Sequence, residues 1–581
     1  MNLKACLRLT YNDLDRLTAV DYGKGQKKTL EYDSWGKLIK AVSTNGDTRR
    51  TVFNKYDEFD RLVKNTETVF AKGKAQSAVK RTYAYSPYGK RTRLTVTTYG
   101  LMGGKMVKQD ALKTKWEFNK FGQLVKIEKD KDVVEYLYDK HGRVLKRTAN
   151  NMETYYTYTP FGQLETKSLG SPFDKSPIAS LKYIYATDGS INAREVNKVK
   201  QSYKYDQLGQ LTAVVNAAGG AVEKYVYDPA GNILKKDING KITTYTYDKS
   251  NQLVSSTANG KTTNYQYDAA GRLVKEGGKS YKYGWQDKVM SITENGKVSN
   301  SYTYSMDGQI ASTDIAGKTE SFIWDGLALL KRGTTEYVYE PAVTGGNPIL
   351  ANGKGLFNDM LGNTLGVNEK DKFTSIKRDV FGKTLENQAG NQYSMFTGKP
   401  QIGGLGYAFL FRNYRPNLGK WQTADPLGYP DGFNNFAYVN NKVTNSFDWL
   451  GGTTFTAQLR VGRTPTLTSD ERTPQTTYFA GDTTVTLTVN FTFTVITSWS
   501  TQTFYCSVPG CPGHTVVAGS SSGPASGTLY FSTFWEDHSA TPEEIAEAVE
   551  QMNGYADTAL VGIADGIRAD HYQKITLEAC E

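Results

Sequence analysis

Four stretches decide the fold because they repeat one pattern: YKYDQLGQL (203–211), YVYDPAGNI (225–233), YTYDKSNQL (245–253) and YQYDAAGRL (265–273). Their second tyrosines lie 20 to 22 residues apart. A period of this length is typical of a stacked array, in which each repeat contacts mainly its neighbours. Because such an array is a scaffold, we look for chemistry where the pattern ends.

Each repeat predicts a β-hairpin. Residues two apart in a strand share a face, so Tyr245 and Tyr247 lie on the same side. Asp248 opens a turn, because its carboxylate can accept a hydrogen bond from a backbone N–H two residues later. Three residues after this position, ten repeats carry a residue that tolerates positive φ, which predicts a left-handed turn residue before the second strand. These residues are Gly36, Gly122, Gly142, Gly162, Gly209, Gly231, Gly271, Asn251, Asp15 and Asp60.

The charge is divided unevenly along the chain. Five basic and fourteen acidic residues follow Gly452, a net charge of −9, and the whole chain carries +11. The first 452 residues therefore carry +20. A basic array could bind nucleic acid or an anionic surface. The basic residues are scattered, however, and lysines on exposed strands also keep a large sheet soluble, so we do not expect the shell to bind nucleic acid.

The composition excludes several classes of protein. Four cysteines in 581 residues are too few for a disulfide framework. No run approaches 18 apolar residues, so we expect no membrane span. The N-terminus lacks the apolar core of a signal peptide and enters the repeat pattern within about ten residues. Either export is independent of a signal, or further segments precede this chain; we favour the second interpretation.

The repeats give way to a denser segment, residues 396–452, with a fixed order of motifs. F-R-x-Y-x-P-x-x-G-x-W is followed by D-P-L-G, then by N-x-F-x-Y-x-x-N and D-x-x-G. Together with the YD repeats, this segment resembles the core of Rhs (YD-repeat) proteins, which also ends the shell of Tc toxin C subunits. The resemblance covers roughly residues 1–452. It divides the chain into a YD-repeat shell (1–356), an Rhs-associated core (357–452) and a variable C-terminal domain (453–581).

The resemblance implies a mainly β fold and a reaction. Its antiparallel sheet of hairpins would spiral into a hollow cocoon, followed by a small α+β C-terminal domain. The core would act once, in cis, as an aspartic self-protease that cuts after Gly452 and releases a toxin held inside. By motif, the catalytic residues fall on Arg412, Asp425 and Asp448. No cofactor is implied.

The chemistry of these residues supports this assignment. Their spacing alone is also compatible with aspartates that only form turns, because D-P-L-G and D-W-L-G both favour β-turns. Two carboxyls that share one proton supply a base that activates water and an acid that protonates the departing amine. A nearby guanidinium can hold one carboxylate ionised or stabilise an oxyanion.

Several positions depart from the family pattern. Arg415 stands where the family has Asp or Asn, Val443 replaces a proline, and Trp449 replaces another. Gly452 replaces a leucine at the expected cut. Cleavage could therefore be slower, shifted or lost.

The last 129 residues share no repeat. Alternating apolar residues in DTTVTLTVNFTFTVITSW (482–499) predict a long strand or two paired ones. Thr541, Pro542 and Glu544 form the start signals of a helix, and a second helix is predicted over 555–569. Cys506, Cys511 and His514 are weak candidates for a metal site, but their spacing is not a standard zinc spacing. A disulfide or idle thiols explain them equally well.

Three functions remain open at this point. The first is a polymorphic-toxin shell, secreted or at the cell surface, whose partners are its own C-terminal segment, an upstream delivery component and an immunity protein. The second is an adhesion or carbohydrate-binding protein, since tyrosine-rich sheets offer contact area. The third is a remnant with a decayed core. The direction of the tyrosines separates the first two, because a packed interior tyrosine layer would weaken the adhesion interpretation.

Overall fold

The computed structural model describes residues 8–23, 25–170, 177–284, 287–340, 346–370, 372–452 and 454–456, together with the backbone of six short strands between 489 and 532. Its main feature is one antiparallel sheet of 36 strands. Each strand pairs with the next along the chain, from the first hairpin, Arg8–Tyr11 with Leu17–Gly23, to the last, Lys372–Arg378 with Thr384–Asn387. The predicted array of hairpins is confirmed.

The first eighteen strands are β1 Arg8–Tyr11, β2 Leu17–Gly23, β3 Gln26–Tyr32, β4 Leu38–Asn45, β5 Thr48–Tyr56, β6 Leu62–Ala71, β7 Lys74–Tyr85, β8 Arg91–Met102, β9 Lys105–Phe118, β10 Leu124–Lys129, β11 Asp132–Tyr138, β12 Val144–Ala149, β13 Met152–Tyr158, β14 Leu164–Leu169, β15 Ala179–Tyr185, β16 Ile191–Val196, β17 Val199–Tyr205 and β18 Leu211–Asn216. The second eighteen are β19 Ala221–Tyr227, β20 Ile233–Ile238, β21 Lys241–Tyr247, β22 Leu253–Ala258, β23 Lys261–Tyr267, β24 Leu273–Glu276, β25 Lys279–Tyr283, β26 Val289–Glu294, β27 Lys297–Tyr304, β28 Ile310–Ile315, β29 Lys318–Asp325, β30 Ala328–Arg332, β31 Thr335–Glu340, β32 Asn347–Ala351, β33 Lys354–Asn358, β34 Thr364–Glu369, β35 Lys372–Arg378 and β36 Thr384–Asn387.

The turns have the predicted geometry. Asp248 Oδ1 accepts hydrogen bonds from the backbone N–H groups of Ser250 and Gln252, at 2.8 and 2.9 Å. Asn251, three residues after the aspartate, has φ = 61°. The other nine residues singled out at this position also have positive φ. The turn aspartate therefore fixes the turn, and the left-handed residue lets the second strand begin at Leu253.

The two tyrosines of each repeat have different roles. The first is buried, as in Tyr203, Tyr225 and Tyr245, which are 4 to 6% exposed. The hydroxyl of the second donates to the backbone carbonyl that begins the second strand of the preceding hairpin. Tyr247 donates to the Ile233 carbonyl at 3.0 Å, and Trp324 uses its indole N–H in the same way on Ile310, at 2.7 Å. Each second aromatic residue thus fastens its hairpin to the one before.

The sheet returns on itself, so early strands contact late strands and turns. Arg81 Nε donates to the carbonyl of Trp324 at 2.9 Å, across 243 residues. The buried Lys129 Nζ donates to the carbonyl of Tyr337 at 3.1 Å. The Tyr183 hydroxyl accepts from the backbone N–H of Met360 at 3.0 Å. We call these contacts between early strands and late strands or turns the seam. They show that the sheet winds as a spiral.

A compact segment follows the sheet. Its five short strands are β37 Met395–Phe396, β38 Lys399–Ile402, β39 Gly406–Ala408, β40 Asn413–Arg415 and β41 Lys420–Trp421, and it contains 3-10 turns at Asn391–Tyr393 and Val439–Asn441. Aromatic rings fill its centre: Tyr414 and Tyr438 lie 4.1 Å apart between ring centroids. The paired strands of the large sheet continue past residue 356 to Asn387, and the boundary between shell and core stays a prediction.

This segment covers the turns of the middle repeats. The Asn434 side chain donates to the carbonyl of Ala230 at 3.0 Å, and the Asn441 side chain donates to that of Gly231 at 2.8 Å. Further along, Ala424 donates its backbone N–H to the carbonyl of Gly271 at 3.0 Å. The segment is therefore built into the sheet rather than tethered to it.

Beyond the compact segment, β42 Ser446–Asp448 pairs with β43 Thr454–Thr456. Further short strands are β44 Val489–Phe491, β45 Ile496–Thr497, β46 Phe504–Ser507, β47 Thr515–Ala518, β48 Ala525–Ser526 and β49 Leu529–Ser532. The strand predicted over 482–499 is described only at β44 and β45. The predicted helices, and Cys511 and His514, lie outside the described residues. Among the described residues, no helix is long and apolar enough to cross a membrane.

Candidate active site

The three predicted catalytic residues meet where β42, which supplies Asp448, lies against the compact segment, which supplies Arg412 and Asp425. Arg412 precedes β40, Asp425 follows β41, and Asp448 ends β42. Their side chains are 1 to 2% exposed. Arg412 Nη2 lies 2.5 Å from Asp425 Oδ2 and 3.8 Å from Asp448 Oδ2. Residues 23 positions apart thus place a carboxyl oxygen each within 4 Å of one guanidinium nitrogen.

Both aspartates also form the turns that the sequence indicates. Asp425 Oδ1 accepts the backbone N–H of Leu427 at 2.9 Å. Asp448 Oδ1 accepts those of Leu450 and Gly451, at 2.9 and 2.7 Å. Each carboxyl therefore uses one oxygen for its turn and directs the other toward Arg412. The turn interpretation and the site interpretation are compatible at the same residues.

Arg412 also contacts the backbone one residue before the predicted cut. Its Nε donates to the carbonyl of Gly451 at 2.6 Å, and its Nη1 donates to that of Asn435 at 2.8 Å. The guanidinium carbon lies 4.2 Å from the ring centroid of Trp421. The Trp421 ring and three acceptors, namely the carbonyls of Gly451 and Asn435 and the carboxylate of Asp425, fix the orientation of the planar guanidinium. A lysine could not reproduce these contacts. A cation held against a carbonyl oxygen polarises that peptide group.

Burial alters the protonation of the pair. It raises the pKa of Asp448 to about 6, while the charge of Arg412 acts in the opposite direction. It raises the pKa of Asp425 well above its ordinary value, again against Arg412. Among the described residues, Asp448 Oδ2 has no hydrogen-bond partner. Near pH 6 the pair therefore retains a proton that exposed carboxyls would have lost.

Two neighbours were missed by the sequence analysis. Asp431 accepts the backbone N–H and the hydroxyl of Thr454, at 2.8 and 2.7 Å, and its charge raises the pKa of both site aspartates. The buried Lys399 has its pKa lowered to about 8 by burial, which the charge of Asp448 opposes. Asp431 lies in a P-D-G turn, and Lys399 begins β38 directly after a glycine, so nothing local in the sequence distinguishes either from an ordinary structural residue.

Two of the departures from the family pattern have structural partners. Arg415 is buried and pairs with Glu276 at 2.7 Å and with the Tyr281 hydroxyl at 3.0 Å. At Gly452, an added Cβ would lie 2.9 Å from Leu427 Cδ1. The space where a larger residue would begin is therefore occupied by Leu427. Val443 is buried at 6% exposure, and nothing in the structure explains Trp449 in place of proline.

Two family models match parts of this chain. The RHS repeat model matches residues 11–48, and the teneurin YD-shell model matches residues 173–337. No curated protein is similar enough to this sequence to count as a match.

Solved structures with a similar course of the chain include three Tc toxin assemblies. The crystal structure of TcdB2-TccC3-Cdc42 is 15% identical with a TM-score of 0.47, and the match covers 77% of this chain and 28% of that one. TcdB2-TccC3 is 14% identical with a TM-score of 0.46, covering 77% and 30%. A Photorhabdus luminescens Tc holotoxin pore with a TccC3 mutation is 14% identical with a TM-score of 0.47, covering 77% and 29%. This chain spans less than a third of each.

The two family models fall on the repeat described above. Residues 11–48 contain the first turns, at Asp15 and Gly36, and residues 173–337 contain the most regular hairpins, with their buried first tyrosines. The turn aspartates, the left-handed residues and the tyrosine hydroxyl bonds therefore belong to one repeat. Over the two matched stretches, this chain is built from RHS and YD-shell repeats.

Proposed function

We propose that this protein is a toxin-type shell that holds its own C-terminal segment and releases it by cutting itself once. The observation that carries the proposal is the buried site in which Arg412 contacts both carboxyls and the Gly451 carbonyl. A cation, two carboxyls that retain a proton and a polarised peptide group are the components of aspartic peptide hydrolysis. The spiral sheet supplies the enclosure.

The chemistry follows from these contacts. An ionised carboxylate of the pair removes a proton from water, and the oxygen attacks the polarised carbonyl carbon. Arg412 Nε stabilises the oxyanion that develops. The other carboxyl donates its proton to the departing amine, and the peptide bond breaks into a carboxylate and an amine. Since the substrate is part of the chain, positioning replaces binding.

The polarised carbonyl favours a cut one residue before the predicted one. Gly451 O, which Arg412 holds, belongs to the bond between Gly451 and Gly452. Gly451 has φ = 85°, and an added Cβ there would lie 3.0 Å from both Arg412 N and Phe409 Cβ. Only glycine fits this backbone without strain. The proposal therefore includes the Gly451–Gly452 bond as the first choice and the predicted bond after Gly452 as the second.

The tyrosines support a shell over an adhesive surface. The first tyrosines are buried, and the second ones use their hydroxyls on neighbouring backbone carbonyls. These side chains therefore stabilise the sheet and offer little surface to a sugar. We further propose that the shell acts outside the cell that makes it, with an upstream delivery component and an immunity protein for the released segment. The resemblance of residues 396–452 to the Rhs core motivates this part.

The proposal is tested by expressing the full chain and running it on a denaturing gel. We expect a shell fragment and a C-terminal fragment of about 129 residues. Asp448→Asn should leave one full-length band, because it removes one ionisable oxygen and preserves the size of the side chain. Asp60→Asn, at an exposed left-handed turn residue whose positive φ asparagine also tolerates, is the matched control and should still cut.

N-terminal sequencing of the released fragment locates the bond. A fragment that begins at Gly452 supports cleavage at the polarised carbonyl, and one that begins at Thr453 supports the bond predicted from sequence. A single full-length band from the unaltered chain would reject the protease while leaving the shell.

A further inference from the structure

The chain is held by different means on the two sides of the candidate bonds. Before them, the Leu450 carbonyl accepts the backbone N–H of Phe411 at 2.7 Å, and the Gly451 carbonyl accepts Arg412 Nε at 2.6 Å. Asp448 Oδ1 also accepts two backbone N–H groups of this stretch. The upstream side is therefore fixed through its backbone, by groups that include the site residues themselves.

After the candidate bonds, one side chain holds the chain with both of its oxygens. Asp431 Oδ1 accepts the backbone N–H of Thr454 at 2.8 Å, and Asp431 Oδ2 accepts the Thr454 hydroxyl at 2.7 Å. Thr454 is buried, and its partner in the β42–β43 pair is Asp448 itself. Because hydrogen bonds to a charged acceptor are stronger than neutral ones, this two-point contact fixes both the backbone and the side chain of Thr454.

The loop that carries Asp431 also carries a site carboxyl. Asp431 lies six residues after Asp425, whose own turn is closed by the Gly428 N–H on the Asp425 carbonyl at 3.1 Å. Asn440 Nδ2 donates to the Asp431 carbonyl at 2.6 Å and so supports the loop from a neighbouring turn. One loop therefore supports both a carboxyl of the site and the chain downstream of the cut.

The strand pair fixes the length of the segment that contains the candidate bonds. Asp448 lies opposite Thr454, and the loop between them contains Gly451 and Gly452. The loop fits closely, because an added Cβ at Gly452 would lie 2.9 Å from Leu427 Cδ1. A short loop held at both ends has little freedom to move away from the site. In a reaction within one chain, positioning of this kind replaces the binding of a separate substrate.

Asp431 also acts on the site carboxyls through its charge. Burial raises the pKa of Asp425 and of Asp448, the charge of Arg412 opposes this, and the negative charge of Asp431 adds to it. The ionisable groups that interact with the pair are Arg412, Asp431, Lys399 and Tyr438. Because the Thr454 hydroxyl is neutral, changes at Asp431 and at Thr454 separate the effect of charge from that of position.

We propose that Asp431 is a positioning residue for self-cleavage that recognises Thr454, so that the sequence required for the cut extends into the segment that is released. The inference rests on the proposed function. The contact needs a short side chain with a hydroxyl, and it needs a backbone N–H, which excludes proline at this position. The first residues of the released segment are therefore part of the site, whatever follows them.

The test follows the disappearance of the full-length chain with time. The full chain is made by cell-free translation, translation is stopped, and timed samples are run on a denaturing gel. Thr454→Val should slow the cut about tenfold or more, because a hydrogen bond to a charged group is lost on the downstream side. Thr454→Ser keeps the hydroxyl and should cut at nearly the unaltered rate. A Thr454→Val chain that cuts as fast as the unaltered chain would overturn the proposal.

Thr444→Val is the matched control for the loss of a buried hydroxyl. Thr444 is about as buried as Thr454, and its hydroxyl lies 2.9 Å from the Tyr205 hydroxyl rather than beside the cut. This variant should cut at the unaltered rate. If it slows the cut as much as Thr454→Val does, the effect at Thr454 is one of general stability and the proposal fails.

Asp431→Asn separates charge from position. Asparagine keeps the size of the side chain and an oxygen that can accept the Thr454 N–H, but it carries no charge. The pH at which the rate reaches half its maximum should fall, because both site carboxyls then ionise at lower pH. Thr454→Val should lower the maximal rate and leave this pH unchanged. A midpoint that does not move in Asp431→Asn would overturn the role of the Asp431 charge.

Hydrogen exchange tests the contact independently of cleavage. In the Asp448→Asn chain, which should stay whole, adding Asp431→Ala should speed exchange of the Thr454 amide about tenfold, because that N–H loses its acceptor. Equal exchange with and without Asp431 would overturn the proposal. An unaltered chain that never cuts, together with faster exchange in the Asp431→Ala chain, would reject the proposed function and support the hold on Thr454.

Discussion

At the scale of single residues, each carboxyl of the candidate site both forms a turn and lies beside Arg412. Asp425 and Asp448 each commit one oxygen to a turn, which fixes the direction of the other. The identity of both aspartates could be predicted from their motifs, because the motifs are local. The contribution of Asp431 could not, because its effect depends on segments that only folding brings together.

The raised pKa of Asp448 gives a pH prediction for cleavage. Below pH 6 both carboxyls are protonated and no base is available, so the rate should rise as the pH increases through about 6. The same shift has a stability consequence of opposite direction. A carboxyl with a raised pKa in the folded state stabilises the fold most at low pH, and this contribution is lost as the pH rises through about 6. Single-turnover cleavage measured by gel from pH 5 to pH 8 checks the rate, and a pH-independent rate would contradict it.

Replacing Arg412 by methionine should destabilise the compact segment. The change leaves two buried carboxyls without a cation, which costs about 3 kcal/mol or more. Unfolding by urea, followed by tryptophan fluorescence, measures the loss. Arg272→Met is the matched control, because its guanidinium lies 2.6 Å from Asp268 with both side chains partly exposed, and such pairs contribute less than about 1 kcal/mol. Equal losses in the two variants would argue against the site geometry.

At the scale of the hairpin, the sequence contains almost all of the necessary information. The tyrosine pair, the turn aspartate and the left-handed residue are local signals, and the structure has them as predicted. The hydroxyl bond of the second tyrosine was not predicted, since its acceptor lies in the preceding hairpin. That Trp324 makes the same bond shows that a donor at this position matters more than the ring that carries it.

Tyr247→Phe should therefore weaken the sheet by about 1 kcal/mol, because the Ile233 carbonyl loses its donor while the ring remains. The shift in the urea midpoint of the shell measures this. Tyr88→Phe removes a hydroxyl from a side chain that is 92% exposed and should change nothing. A Tyr247 variant as stable as the Tyr88 variant would show that the hydroxyl bond is energetically neutral.

At the scale of the whole molecule, the shape depends on the seam, which the local sequence patterns do not predict. The number of strands in one turn of the spiral depends on sheet twist and on contacts across some 200 residues, neither of which a repeat records. Asp325 illustrates this. It ends β29 as an ordinary turn residue, yet it pairs with Arg91 at 2.9 Å and accepts the Tyr83 hydroxyl at 3.2 Å.

Asp325→Ala should open the seam. It leaves Arg91 without its carboxylate and removes the acceptor of two tyrosine hydroxyls, Tyr83 and Tyr339, at a cost of about 2 to 3 kcal/mol. Limited proteolysis should then cut the early strands faster than in the unaltered chain. Glu31→Ala, which removes an exposed partner of Lys40, is the control. Equal digestion rates would argue against the seam as a closing contact.

Because β42 pairs with β43, cleavage of the peptide bond and dissociation of the C-terminal fragment would be separate steps. Residues on the two sides of the proposed cut form an antiparallel strand pair, with Asp448 opposite Thr454. Thr454 also donates two hydrogen bonds to Asp431. After cleavage, the two fragments would thus stay associated and elute as one species in size-exclusion chromatography under native conditions. Separation of β43 from β42 by an outside agent, rather than hydrolysis itself, would then determine when the C-terminal fragment is released.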